Sequence, residues 1–109
     1  MERVLEFDVS KQNISRNAGC SFDGIVSGTH GYLKAKFNFS KEWNNCAKVA
    51  VFRMLLDEYP VPLSNTMCEI PSEVTKWDEF FVRVVGRDNK GTTVTTNEVS
   101  VKQIRRSVR

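Results

Sequence analysis

The stretch 80–103 contains two runs in which apolar and polar side chains alternate with the period of a β-strand. Every second residue from Phe80 to Val84 is apolar in the first run, and Val99 and Val101 share one face of the second. Between them, segment 87–91 consists of turn-forming residues and ends in glycine, which predicts a tight hairpin turn. Because an isolated hairpin is only marginally stable in water, its apolar face must pack against a second sheet.

Further strands are predicted along the rest of the chain. Tyr32–Phe39 alternates like a half-buried antiparallel strand, and Cys46–Met54 is almost continuously apolar, as in a central strand. Prolines in Tyr59–Leu63 place that segment at a sheet edge, because proline cannot donate to a ladder. Arg3–Val9 is expected to be a second edge strand, and Met67–Ile70 a short strand.

The count of about seven short strands, with turn signals about every eight to twelve residues, predicts an all-β chain folded as an immunoglobulin-like antiparallel β-sandwich. One helical turn is expected at 71–78, between the two sheets. Residues 1–104 are expected to form the sandwich and residues 105–109 a basic C-terminal tail. The predicted core contains Leu33, Phe37, Phe39, Val49, Val51, Phe80, Val82, Val84, Val99 and Val101.

Composition narrows the possible functions. The 109 residues include 16 Lys and Arg against 13 Asp and Glu, a net charge of +3. Apart from the basic C-terminus this charge is spread along the chain, so nucleic-acid binding is not favoured. No apolar run is long enough for a signal peptide or a membrane span. The cysteines at 20, 46 and 68 match no zinc spacing with His30, so reduced, buried thiols are expected and no metal or cofactor is predicted.

The sequence contains no pattern typical of catalysis. The histidine lies in a glycine-flanked turn at 28–31, where a solvated loop residue is expected. Neighbouring carboxylates at 57–58 and 78–79 point to opposite faces of extended chain, so they cannot act on one substrate. Gly86 and Gly91 are not followed by a helix that would hold a phosphate. An enzyme is therefore not predicted.

Five runs of strand and turn residues carry a resemblance to a known family. They are Phe37–Trp43, Ala47–Phe52, Cys68–Val74, Phe81–Gly86 and Thr95–Asn97. Over roughly residues 30 to 103, the chain resembles a small immunoglobulin-like domain of virion proteins in tailed phages of Gram-positive bacteria. Such domains occur in baseplate, tail-fibre and head-decorating proteins. The resemblance implies a non-enzymatic structural or adhesive part of a particle, and it assigns no functional residue.

A sandwich without a shaft or trimerisation element suits an accessory protein that binds a preformed lattice. A capsid decoration protein is therefore expected, located in the virion and made in the cytoplasm of the host bacterium. Its expected partners are other virion proteins, major capsid or tail proteins, in multiple copies, with no membrane. A baseplate or tail component is the first alternative. A second is a carbohydrate-binding module contacting the host surface through an aromatic platform of Tyr32, Trp43, Tyr59 and Trp77.

Partner contacts are expected at the C-terminal end of the chain. The segment 103–109 contains three arginines and two isolated apolar residues. Arginine combines a planar hydrogen-bonding fork with a stem that buries apolar area. The segment around one tryptophan is the next candidate. The predicted partner-binding residues are Ile104, Arg105, Arg106, Val108, Arg109 and Trp43.

Overall fold

The computed structural model describes residues 1–105. They contain nine strands, arranged in two packed sheets. The strands are β1 (Arg3–Ser10), β2 (Asn13–Arg16), β3 (Leu33–Phe39), β4 (Ala47–Met54), β5 (Asp57–Pro62), β6 (Met67–Glu69), β7 (Glu79–Arg87), β8 (Thr93–Thr95) and β9 (Val99–Lys102). Two 3-10 turns, Lys41–Trp43 and Ser72–Lys76, are the helical segments of this part. The predicted all-β sandwich is confirmed, with two strands more than expected.

The first sheet has the order β2-β1-β3-β6, and the second has the order β5-β4-β7. Beyond β7, strands β8 and β9 pair with successive parts of it. All pairs are antiparallel except β1 with β3, which run parallel from Arg3 opposite Leu33 to Val9 opposite Phe39. The sandwich is therefore mostly, but not purely, antiparallel.

The expectation that Arg3–Val9 forms a sheet edge is wrong. β1 lies between β2 and β3, and Leu5, Phe7 and Val9 are buried in the core. The unexpected strand β2 covers its outer side. β2 is polar except for the buried Ile14, so its sequence shows no alternation by which a strand is recognised.

The hairpin predicted at 80–103 is confirmed, with a break in its second arm between β8 and β9. Asp88 shapes the turn, because its Oδ1 accepts hydrogen bonds from the backbone N–H groups of Lys90 and Thr92, both at 2.9 Å. Gly91 follows with a φ of 87°, the left-handed conformation expected of a glycine that closes such a turn.

The core lies between the sheets, and seven of the ten predicted core residues are buried. The predicted face of β4 is wrong, however: Ala50 and Phe52 join the core cluster, whereas Val49 and Val51 point to the opposite side of the strand. The reason is that both faces of this strand are apolar. β4 is a central strand and β5, with its prolines, is an edge strand, both as predicted.

Candidate binding surface

Large apolar side chains are exposed at one end of the sandwich. Apart from Met1, all those exposed within residues 1–105 lie there, and together they define the end surface: Val26, Leu55, Leu56, Trp77 and Ile104. Leu56 is 96% exposed and Leu55 is 72% exposed. Contiguous exposed apolar side chains typically mark interaction sites.

Chain topology brings these residues together from distant positions in the sequence. Leu55 and Leu56 form the turn between β4 and β5, and Trp77 lies just before β7 begins. β4 and β7 are antiparallel neighbours, with Arg53 opposite Phe81, so the end of one strand meets the start of the other. β9 ends at the same place, because Lys102 pairs with Glu79.

Gln103 fastens the segment after β9 to this end. Its backbone N–H donates to the carbonyl of Asp78 at 2.7 Å, and its buried side-chain Nε2 donates to the carbonyl of Trp77 at 2.7 Å. Ile104 then forms a parallel bridge with Val26. Hydrogen bonds therefore hold the backbone at Gln103 and at Ile104, while the side chain of Ile104 remains 58% exposed.

Arg105 and Trp77 lie between two cavities at this end of the sandwich, one apolar and one polar. The guanidinium carbon of Arg105 lies 5.3 Å from the ring centroid of Trp77, a cation–π arrangement. On one side of Trp77 is a cavity of about 340 Å³, here called the apolar groove, which Met54, Leu55 and Phe81 help to line. On the other side of Arg105 is a more polar cavity.

A bidentate ion pair lies at the border of the apolar groove. Arg53 donates to Glu98 through Nε at 2.8 Å and Nη2 at 2.7 Å, and its guanidinium covers the ring of Phe81 at 4.3 Å. These hydrogen bonds from Arg53 hold the pKa of Glu98 below its usual range. The charge of Arg53 is therefore neutralised within the chain.

The second cavity, here called the polar pocket, has a volume of about 460 Å³. It is lined by Ser27, Gly28, Thr29, His30, Ser72, Thr75, Lys76 and Arg105. The hydroxyl of Thr75 lies 2.8 Å from the carbonyl oxygen of Thr29 and 2.9 Å from that of Ser72, which ties the loop to the 3-10 turn. Thr29 Oγ1 is buried and has no hydrogen-bond partner within residues 1–105.

The five residues that define the end surface are apolar and carry no titratable or nucleophilic group. Glu58, one of the neighbouring carboxylates at 57–58, lies on β5 and pairs with Arg83 at 3.4 Å.

Burial raises the pKa of the Cys68 thiol to about 12, which keeps it protonated. The three cysteines are free thiols and partly exposed rather than fully buried. Within residues 1–105, no three His, Cys, Asp or Glu side chains converge on a possible metal position.

The predicted partner-binding residues are not all found together. Ile104 and Arg105 lie at the end surface, and Arg106, Val108 and Arg109 lie outside the described residues. Trp43 is at the opposite end, 1% exposed, with its Nε1 donating to the carbonyl of Lys11 at 2.9 Å.

The indole of Trp43 is thus part of the core and offers no exposed surface to a partner. Since Trp43 and Trp77 lie at opposite ends, the four aromatic residues do not form one carbohydrate platform. Leu55 and Leu56 were not among the predicted partner-binding residues, although two leucines inside a turn are an unusual signal.

Comparison with known proteins adds no assignment to these observations. No protein-family model matches the chain, and neither a curated protein nor a solved structure matches it. In the described part of the chain there is also no helix long and apolar enough to cross a membrane.

Proposed function

We propose that this chain is a non-enzymatic structural component of a tailed-phage virion, and that it decorates the capsid by docking its end surface onto a preformed protein lattice. The observation that carries this proposal is the concentration of exposed apolar side chains at one end. The resemblance of the five sequence runs to virion domains supplies the class of particle. The partners are then major capsid or tail proteins in multiple copies, and the protein resides in the virion after synthesis in the host cytoplasm.

The composition of the end surface supports a protein partner. Tryptophan and arginine are enriched among the residues that dominate binding energy at protein interfaces, and Arg105 already lies against Trp77. Leu55 and Ile104 add exposed apolar area to the same end. A surface built from a few exposed side chains suits modest affinity per copy, as in a protein that binds a repeating lattice in many copies.

The backbone at Leu55 supports the same interpretation. Leu55 has a φ of 56°, a left-handed conformation that glycine or asparagine adopts far more readily than leucine. The turn alone would be better formed without a leucine at this position. A leucine that is both strained and exposed is explained by a contact outside the chain.

A position in the baseplate or tail is the alternative within the same class, since the same surface would dock there. A carbohydrate-binding role has less support, because one of its tryptophans is buried in the core. The site of docking within the particle distinguishes capsid from tail.

The test uses the purified full chain and phage particles assembled without it. A variant carrying Leu55→Gly and Leu56→Ser removes both leucines and places glycine where φ is positive. The variant should melt at the same temperature or higher, and it should bind particles at least about tenfold more weakly in co-sedimentation. Its matched control carries Asn89→Gly and Thr92→Ser in the exposed turn at the other end, and should bind as the unmodified chain does.

Separated capsids and tails show where the protein binds. Binding to capsids supports the decoration role, and binding to tails alone replaces it with the tail alternative. Undiminished binding of the Leu55→Gly, Leu56→Ser variant would remove the end surface from the proposal. Failure of the unmodified chain to bind any part of the particle would overturn the virion function itself.

A further inference from the structure

We infer that the polar pocket is a binding site for a phosphate ester, a function separate from protein docking. Its lining combines two cationic side chains, Lys76 and Arg105, with hydroxyl groups from the loop and the 3-10 turn. No aspartate or glutamate lines it among the described residues, although the chain as a whole contains 13 of them. A cavity lined by one sign of charge concentrates ions of the opposite sign.

The two cations at the pocket are available to a ligand. Neither Lys76 nor Arg105 takes part in an ion pair within residues 1–105, whereas Arg53 and Arg83 at other sites are each paired with a glutamate. Arg105 is held against Trp77, which orients its guanidinium without neutralising it. An arginine fixed in this way offers a planar fork of donors, the geometry that suits phosphate oxygens.

A buried hydroxyl provides an independent indication of a ligand. Thr29 Oγ1 is buried and unpartnered in the described part of the chain, which is unusual because buried polar atoms nearly always have a hydrogen-bond partner. Thr29 lines the polar pocket. Rotation of the Thr29 side chain toward the pocket would let a ligand oxygen satisfy this hydroxyl.

The size of the cavity favours an ester over a free inorganic ion. Its volume of about 460 Å³ is within the range of pockets that hold organic ligands, and far larger than one phosphate group requires. The hydroxyls of Ser72 and Thr29 suit a polar organic group such as a polyol or a sugar. The proposed ligand is therefore a small polyol or sugar that carries a phosphate.

The experiment titrates the full chain with glycerol 3-phosphate, inorganic phosphate and uncharged glycerol at constant ionic strength, and follows backbone amide resonances. Glycerol 3-phosphate should give saturable shifts centred on Thr29, His30 and Lys76, with weaker binding of inorganic phosphate and none of glycerol. Lys76→Gln should weaken binding about tenfold. Lys90→Gln removes the same charge from the turn at the other end and should leave binding unchanged.

Thr29→Val distinguishes a ligand contact from a structural role. Because the valine removes an unpartnered buried hydroxyl, the free protein should melt at the same temperature or higher, while glycerol 3-phosphate binds about three- to tenfold more weakly. If Thr29 had only a structural role, Thr29→Val would change the melting temperature and the ligand affinity together.

Non-saturable shifts that affect all basic residues alike, or equal losses in the Lys76 and Lys90 variants, would overturn the inference. If inorganic phosphate binds as tightly as glycerol 3-phosphate, the organic part of the proposed ligand is wrong. Because no particle is present in these titrations, their outcome is independent of the docking proposal.

Discussion

Gly86 and Trp43 fit together at the end of the sandwich opposite the end surface. Gly86 is an inward-facing residue of β7, and a Cβ atom built on it would lie 2.5 Å from Cζ3 and 2.9 Å from Cε3 of the indole. Without a side chain at this position, the large ring of Trp43 lies directly on the backbone of the strand. One glycine therefore decides whether the most voluminous core side chain can be buried.

We expect Gly86→Ala to destabilise the fold by about 1–3 kcal/mol, because the added methyl group displaces a ring enclosed by the core. Urea unfolding monitored by tryptophan fluorescence measures the change. Gly19→Ala is the control, since the nearest atom to its new methyl group is a side-chain oxygen of Asn17 at 3.3 Å. In a Trp43→Phe background the cost of Gly86→Ala should shrink. Equal effects of the two alanine substitutions would show that the indole contact does not matter.

At the scale of elements, the sandwich protects its strand edges by different means. The outer edge of β2 is met by Asn97, whose Oδ1 accepts from the backbone N–H of Ile14 at 2.8 Å and whose Nδ2 donates to the carbonyl of Ile14 at 3.3 Å. This side chain imitates a strand backbone and links the two sheets. The outer edge of β5 carries two prolines, which lack backbone donors, so pairing with another chain is disfavoured there.

The break between β8 and β9 is supported by one hydroxyl. The backbone N–H of Val84 donates to Thr96 Oγ1 at 3.0 Å, in place of a ladder bond between backbones. Thr96→Val keeps the shape of the side chain but leaves that buried N–H unpaired, so we expect a loss of about 1–3 kcal/mol.

Hydrogen exchange of the Val84 amide, together with thermal unfolding, measures the effect of Thr96→Val. The amide should exchange faster in the variant. Thr93→Val makes the same substitution at an exposed position of β8 and should change little. An unchanged exchange rate at Val84 would mean that another acceptor replaces the hydroxyl.

In the molecule as a whole, hydrogen bonds lower the pKa of carboxyl groups in separate parts of the fold. Donors of Arg53 lower the pKa of Glu98 from its ordinary value of 4.5, and the amides of Asn17 and Asn38 lower that of Asp8 from 3.8. Asp8 lies on β1, whereas Glu98 lies in the break between β8 and β9. A lowered pKa in the folded state means that the ionised form is bound more favourably there than in the unfolded chain.

We therefore expect stability to be full above pH 5 and to fall as the pH drops through the lowered pKa values of Glu98 and Asp8. Because Glu98 and Arg53 are partly exposed, the contribution of their pair is less than about 1 kcal/mol. Urea midpoints measured from pH 7 to pH 3 test this. Glu98→Gln should lower the midpoint at pH 7 and flatten its fall toward acid pH. A midpoint independent of pH in the unmodified chain would contradict the assignment.

Prediction from the sequence succeeded where one side of an element differs clearly from the other. The alternation from Phe80 to Val84 identified the core face of β7, and the prolines of β5 identified an edge. It failed where that contrast is missing. Because both faces of β4 are apolar, the sequence does not show which face points to the core. Val49 was expected there, but Ala50 belongs to the core cluster. β2 is almost wholly polar and passed unnoticed.

The candidate site was less predictable than the fold. Ile104 and Arg105 were expected to contact a partner, and they do lie at the end surface. Trp43 was expected to contact a partner, but its side chain is buried. This burial could not be foreseen, because nothing in the sequence indicates that Gly86 leaves room for the ring. Leu55 lies in a turn, and its exposure could not be foreseen, because it depends on no element within residues 1–105 packing over that turn.

The sequence by itself determined the strands, the turns and the all-β class, because these depend on the order of neighbouring side chains and on local backbone preferences. Only the tertiary structure decided that β1 runs parallel to β3 and that Leu55, Trp77 and Ile104 meet at one end. Strand pairing and packing join residues that are far apart in the chain, and their energies depend on the partners available after folding. Many pairings bury similar apolar area, so local patterns do not choose among them.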